Sequence, residues 1–226
     1  MQFELSVITV CLNDHFHLLK TLNSVKNQKF NFEYIVVDGN SIDGSVEILK
    51  KEFDLIDHLI IEKDNGLYDA MNKGIRNASG RWIMFLNAGD IFDHDEVLKN
   101  IFDDNELINN ADLIYGDTNI IYNGNIERYN KAGDIKNTYY GMQFSHQSMI
   151  VKSKLQINLL YNTKYKYAAD YDFILNLFSI GKEFVKYDGA ITKVISGGIS
   201  DTERIKVLYE WIKIIRKKSL CGSFFI

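Results

Sequence analysis

The chain has 226 residues, 46% hydrophobic and 25% charged, enough for one large core in one domain or one domain with a small appendage. Its formal net charge of -4 gives no electrostatic footprint for nucleic acid, so no nucleic-acid partner is expected. Proline is absent, so turns must rely on Gly, Asn, Asp and Ser, and only Cys11 and Cys221 occur, with no spacing of a disulfide framework or zinc site.

The first half alternates strands and helices. Leu5 to Cys11 reads as a buried strand, and Leu18, Leu19, Leu22 and Val25 recur at helical spacing behind Asn13, a plausible N-cap. Phe32 to Val37 is the second strand, and a turn at Gly39-Asn40-Ser41 leads to a helix carrying Val46, Ile48, Leu49 and Phe53. A third strand at His58 to Glu62 precedes a helix with Leu67, Met71, Ile75 and Ala78 on one face, stopped by Gly80, and Arg81 to Leu86 is the fourth strand. Such alternation predicts βαβ units and a mainly parallel sheet with right-handed crossovers.

The second half is mixed. Ala111 to Tyr115 and Thr118 to Tyr122 read as two strands, with Asn123-Gly124 as a hairpin turn into Ile126 to Tyr129. Ser148 to Lys152 is a further strand, Asp170 to Gly181 a helix, and Phe184 to Ile195 a pair of short strands. The N-terminus has no basic n-region and no apolar run approaches a membrane span, so a cytoplasmic protein is expected.

Acidic residues follow the hydrophobic runs: Asp38 after Tyr34-Ile35-Val36-Val37, Asp90 after Trp82 to Leu86, and Asp170 at the start of a helix. In open α/β sheets ligands bind outside the carboxyl ends of the strands, so such acids point to one crevice. The segments Ser6 to Asn13, Tyr34 to Ser45, Glu62 to Gly74, Asn87-Ala88-Gly89-Asp90 and Ala168-Ala169-Asp170-Tyr171-Asp172 together resemble glycosyltransferase family 2, including its bacterial surface-polysaccharide subgroup. The similarity runs from about Ser6 to about Ser200.

This resemblance implies a single GT-A-type, Rossmann-like α/β domain over 1–200, its nucleotide-binding part about 1–92 and its acceptor and catalytic part about 93–200, followed by an amphipathic helical tail at 201–226. It implies an inverting, metal-dependent transfer of a sugar from a nucleotide diphosphate, UDP being the commonest carrier and GDP or dTDP the alternatives, to a glycan or lipid-linked hydroxyl. Val10, Asn13, Asp38, Asp64, Asn72, Asn87 and His146 would contact substrate or nucleotide, Asp90 would hold Mn2+ or Mg2+, and Asp170 would be the general base. Local structure offers each acid a second role: Asp38 an Asx-turn before Gly39, Asp64 and Asp170 helix N-caps, Asp90 a strand terminator, while His146 also reads as a structural histidine.

The chain departs from the family's pattern at several places. Asn87 and Gly89 stand where acids are commoner, Ala169 where an acid often precedes the base, and Leu12 and Met71 where an aromatic and an arginine are frequent. The first strand lacks the glycines of a dinucleotide or P-loop site, and Asn40 stands where an aspartyl phosphatase needs a second Asp. A non-catalytic sugar-nucleotide or glycan-binding protein is the rival of another class. In the tail, Val207, Leu208, Trp211, Ile212 and Ile215 form an apolar stripe beside Lys213, Arg216, Lys217 and Lys218, with Leu220, Phe224, Phe225 and Ile226 beyond. That stripe would lie on the cytoplasmic face of a membrane, cover the protein's own core, or meet a second subunit of a homodimer.

Overall fold

The computed structural model describes residues 3–122 and 126–220. The Asn123-Gly124 turn and the Cys221, Phe224, Phe225 and Ile226 end lie outside the described residues.

Four parallel strands form one half of the sheet: β1 (Leu5–Cys11), β2 (Glu33–Asp38), β3 (His58–Ile61) and β4 (Trp82–Phe85). β1, β2 and β4 are buried throughout, which is why they read as unbroken apolar runs. Alternate residues enter two cores. Val7, Val36 and Met84 join Leu18, Leu22 and Val25 of α1 (His15–Asn27) on one side. Ile8, Ile35 and Phe85 join Met71 and Ile75 of α3 (Leu67–Asn77) on the other, and α2 (Ser45–Lys51) links β2 to β3.

The sheet continues with β5 (Ile91–Phe92), β6 (Leu113–Tyr122), β7 (Ile126–Asn130), β8 (Met149–Lys152) and β9 (Phe184–Ile195), in the order β3-β2-β1-β4-β8-β6-β9-β5 with β7 on β6. β8 is antiparallel to both β4 and β6, so its start, and not its end, lies at the edge where β1 to β4 finish. Helices α4 (Val97–Asp103), α5 (Asn105–Asn110), α6 (Ser153–Asn158), α7 (Ala169–Ser179), α8 (Ile199–Thr202) and α9 (Arg204–Leu220) complete the domain. The result is the expected mixed sheet flanked by helices with a C-terminal helix.

Several local expectations change. The two strands expected at 111–122 are one strand, β6, and the pair expected at 184–195 is the single β9; register shifts between Tyr115 and Thr118 let the long pair bend without breaking. Phe53 lies outside α2 and is exposed. Asn13 is not the N-cap of α1, because the cap position falls on Asp14; Asn13 instead adopts φ 52.

The tail stripe is also rearranged. Val207 and Ile214 are buried, and Trp211 packs on Tyr171 with ring centroids 5.1 Å apart, whereas Leu208 and Ile212 remain 53% and 49% exposed. The inner face of α9 therefore covers the protein's own core, as one reading of the stripe expected. Its outer face carries Ile205, Leu208, Tyr209 and Ile212, whereas Ile215 packs against the buried cluster.

Candidate active site

Because the chain leaves β1 toward β2 and β3 and returns to the opposite side of β1 with β4, the switch in strand order lies at β1, and the loops past these strands diverge around a crevice. After β1, Asn13 N–H donates to Ser41 Oγ at 2.8 Å, and Ile42 N–H donates to Asn13 Oδ1 at 2.9 Å. Asn13 and Asn40 are the non-glycine residues with positive φ among those described, a conformation asparagine tolerates better than most. The two loops are thereby latched together.

Asp38 is fully buried beneath this latch. Its carboxylate accepts from Ser41 N–H and from Ser41 Oγ, both at 2.7 Å, so it closes the turn from below and is absent from the crevice wall. Asp64 does reach that wall. Its Oδ1 accepts from Gly66 N–H at 2.9 Å, while a Cβ on Gly39 would stand 2.6 Å from Asp64 Oδ2 and 3.0 Å from Leu12 Cδ1. Gly39 thus allows three loops to meet where a side chain would separate them.

Two cavities meet at this edge of the sheet. The first, about 630 Å3, is lined by Val10, Leu12, Asp64, Tyr68, Tyr165 and Tyr167 among others. The second, about 580 Å3, is lined by Phe144, His146, Gln147, Tyr167, Asp170 and Trp211 among others. Tyr167 belongs to both. Asn72 lines neither: its amide donates to Tyr161 O and accepts from Tyr161 N–H, each at 2.9 Å, so it clamps the main chain behind the site.

A chain of side-chain contacts connects the cavities. Tyr68 OH donates to Asp170 Oδ1 at 3.0 Å, His146 Nδ1 lies 3.3 Å from Asp170 Oδ2, and His146 Nε2 lies 3.2 Å from Asn87 Nδ2. Asp170 sits in the first turn of α7 and is not its N-cap, which is Ala168. Burial pushes the Asp170 carboxyl up, but the hydrogen bond and charge of His146, with the Tyr171 N–H and Tyr68 OH, outweigh it and hold the group below the ordinary carboxylate range. It is therefore ionised near neutrality. Neither the Tyr68 contact nor the Asp170–His146 pair was evident from the sequence order, since it joins residues on α3, α7 and the segment before β8.

Asp90 ends a tight turn in which its N–H donates to Asn87 O at 2.9 Å and Gly89 takes φ 98. Thr21 of α1 secures the turn, accepting from Gly89 N–H at 2.9 Å and donating to Asp90 O at 2.8 Å. Burial raises the Asp90 carboxyl to about 7, partly opposed by the charge of His146 and a hydrogen bond from Gln147. Among the described residues no group of three or more His, Cys, Asp or Glu side chains could hold a metal. The buried Asn87 Oδ1, however, has no hydrogen-bond partner. One carboxylate and one orphaned amide oxygen fit a hard divalent ion that takes its other ligands from phosphate and water.

A mainly parallel sheet extended by antiparallel strands, with paired cavities at its carboxyl edge, is a GT-A-type fold. The family model described as glycosyl transferase family 2 matches residues 6–168, and the chain belongs to that family. A PGL/p-HBAD biosynthesis glycosyltransferase of Mycobacterium bovis is 30% identical over 204 residues, 87% of this chain and 79% of the relative. An uncharacterized glycosyltransferase of Mycobacterium tuberculosis is 40% identical over 95 residues, 41% of this chain and 36% of the relative.

Solved structures share the fold at lower identity. TarS 1-349 of S. aureus in complex with UDP-GlcNAc has a TM-score of 0.72 at 17% identity, covering 94% of this chain and 65% of that one. Mannosyltransferase PcManGT of Pyrobaculum calidifontis, in complex with GDP-Man and Mn2+, has a TM-score of 0.70 at 14% identity, covering 97% and 65%. The chain spans 39% of the longer TarS structure.

Proposed function

We propose that the protein transfers a sugar, with inversion, from a UDP-sugar to a hydroxyl of a glycan or lipid-linked acceptor in surface-polysaccharide biosynthesis. The observation that carries this reading is the meeting of two cavities at Asp170: Tyr68 of the first donates to a carboxylate that lines the second. The UDP- and GDP-sugar complexes of TarS and PcManGT, and the biosynthetic glycosyltransferase of Mycobacterium bovis, support it by analogy.

The first cavity takes the nucleotide. Asp64 offers an acceptor-only carboxylate to a base or ribose edge, Val10 and Leu12 an apolar floor, and Tyr68, Tyr165 and Tyr167 aromatic walls. Asn13 and Asp38 serve this site through the latched turn, and Asn72 through its clamp on Tyr161. The second cavity, with Phe144, Tyr167 and Trp211, takes the acceptor. On this reading the nucleotide part is about 1–92 and the acceptor part about 93–200, with Thr163, Tyr165, Lys166 and Tyr167 of the latter also walling the nucleotide cavity.

In the transfer, the acceptor oxygen attacks the anomeric carbon from the face opposite the diphosphate. Its proton passes to Asp170, and the bond to the diphosphate breaks with the electron pair remaining on the leaving oxygen. Such a base contributes about 10²–10⁴-fold. His146 and Tyr68 hold Asp170 ionised and oriented. Asp90, with Asn87 Oδ1, would hold Mn2+ or Mg2+, which when bound neutralises charge on the departing diphosphate.

Lipid-linked acceptors would be met at the cytoplasmic membrane surface through the outer face of α9, where Ile205, Leu208, Tyr209 and Ile212 are exposed beside Lys213, Arg216 and Lys217. Among the described residues no helix is long and apolar enough to cross a membrane. Release of UDP from UDP-sugars with Mn2+ and a lipid-linked or oligosaccharide acceptor, compared between wild type and Asp170→Asn, tests the reading. Donor binding without any turnover in wild type would favour a non-catalytic sugar-nucleotide-binding protein.

A further inference from the structure

Three consecutive main-chain N–H groups converge on one carboxylate of α9. Lys166 N–H donates to Glu210 Oε1 at 2.9 Å, and Tyr167 and Ala168 N–H donate to Glu210 Oε2 at 2.8 and 3.0 Å. Charge-assisted bonds of this kind are stronger than neutral ones. They are also well placed, since these groups lead directly into α7, where Ala168 offers no side-chain cap and the helix dipole favours an anion.

The held segment bears on both cavities. Thr163, Tyr165, Lys166 and Tyr167 wall the first cavity, and Tyr167 and Asp170 line the second. The residue after Glu210, Trp211, lines the second cavity and packs on Tyr171, the neighbour of Asp170. Adjacent residues of α9 therefore grip the segment ahead of Asp170 and the residue behind it.

We propose that Glu210 is a positioning residue for the transfer: by fixing the main chain at 166–168 it sets Tyr167 at the shared wall and Asp170 at the junction of the cavities. The role rests on the reading of Asp170 as general base. Glu210 itself lines neither cavity. Its effect is geometric, and small displacements of reacting groups are costly: about 1 Å can lower a rate about a hundredfold. The tail helix is, on this account, a component of the active site and not a detachable appendage.

The test measures UDP release, with Mn2+, from whichever of UDP-glucose, UDP-galactose and UDP-N-acetylglucosamine gives the fastest release with wild type, alongside thermal unfolding of each variant. Glu210→Gln keeps the size and one acceptor oxygen but removes the charge. Glu210→Asp keeps the charge and draws it back. Ile214→Val loosens the buried face of the same helix, which packs with Ala168 and Tyr171, but leaves the three N–H bonds to Glu210 in place. Glu210→Gln is expected to lose about ten- to a hundredfold in kcat, well below its unfolding temperature, with a smaller change in donor KM. Glu210→Asp should fall between it and wild type, and Ile214→Val should keep kcat within about twofold despite a similar loss of Tm.

Wild-type kcat in both Glu210 variants, with Asp170→Asn inactive, would overturn the positioning role alone. Wild-type turnover in Asp170→Asn would overturn the assignment of the base instead. Should Glu210→Gln fail to fold, Glu210→Asp carries the comparison: a reduced kcat relative to Ile214→Val at matched Tm supports positioning, and an equal kcat contradicts it.

Discussion

Tyr68 and Asp170 are joined by a hydrogen bond of 3.0 Å between side chains 102 residues apart, one on the wall of each cavity. The tyrosine is buried, and burial together with the adjacent carboxylate raises its hydroxyl well above the ordinary value, so it remains a donor at any working pH. A permanent donor facing an ionised carboxylate fixes the carboxylate's orientation.

Asp170→Asn should lower kcat by about 10²–10⁴-fold while donor affinity stays within a few-fold, because the change removes a transition-state role and not a binding contact. Tyr68→Phe should have a milder effect of the same kind, and the acid limb of its pH–rate profile should shift upward, since a hydrogen bond that lowers the Asp170 pKa is lost. Steady-state kinetics of the two variants across pH checks both. An unchanged limb in Tyr68→Phe would remove the tyrosine from this role.

Gly39→Ala should weaken donor binding by roughly tenfold or more with little loss of fold stability, since the new methyl would lie 2.6 Å from Asp64 Oδ2 and 3.0 Å from Leu12 Cδ1, both on the cavity side. Calorimetric titration of the donor, with unfolding temperature as control, checks this. Retained affinity would mean that Asp64 does not face the nucleotide.

Asp90 gives a pH dependence of opposite sign to that of most carboxylates. Its folded pKa, about 7, is above the ordinary 3.8, so the folded state binds the extra proton. Its contribution to stability is full below about 3.8 and is lost as pH rises through about 7. His146 is the charged neighbour that moderates the effect. Without divalent ions, Asp90→Asn should therefore gain stability relative to wild type as pH is raised from about 4 to about 7. Adding Mn2+ should stabilise wild type and not the variant, by mass action. Urea unfolding at several pH values with and without Mn2+ checks both, and equal Mn2+ responses would separate the ion from Asp90.

The two faces of α9 predict different phenotypes. Leu208→Ser with Ile212→Ser should reduce flotation with anionic vesicles about tenfold while leaving Tm nearly unchanged, because both residues are exposed. A chain ending near Thr202 should instead unfold more easily, as it loses buried Ile214 and Val207. Negligible vesicle binding by the intact chain would leave the outer face without a membrane role.

The parallel half of the fold was legible because β1, β2 and β4 are buried on both faces, so their apolar runs are continuous and bounded by turn residues. β6 and β9 were read as broken because a bent strand pair with shifted register interrupts the alternation that a flat strand shows. Of the acids and the histidine singled out from the sequence, Asp64 lines the first cavity and His146 and Asp170 the second, but what each touches did not follow from their order. Asp38 shows the difference: a carboxylate after a strand suits either a ligand or an Asx-type turn, and two bonds to Ser41 decide its placement. Glu210 carried no signal, because a lone glutamate on an amphipathic helix is ordinary until the fold brings three N–H groups to it.

The most direct test of the central claim is titration of UDP-, GDP- and dTDP-sugars, in the presence of Mn2+, into wild type, Asp64→Asn and Asp170→Asn. The account predicts that a UDP-sugar binds wild type, that Asp64→Asn weakens this binding by about tenfold or more, and that Asp170→Asn leaves it within a few-fold. Failure of every nucleotide-sugar to bind wild type at millimolar concentration, or equal weakening by the two substitutions, would contradict the assignment of donor and acceptor to separate cavities that meet at Asp170.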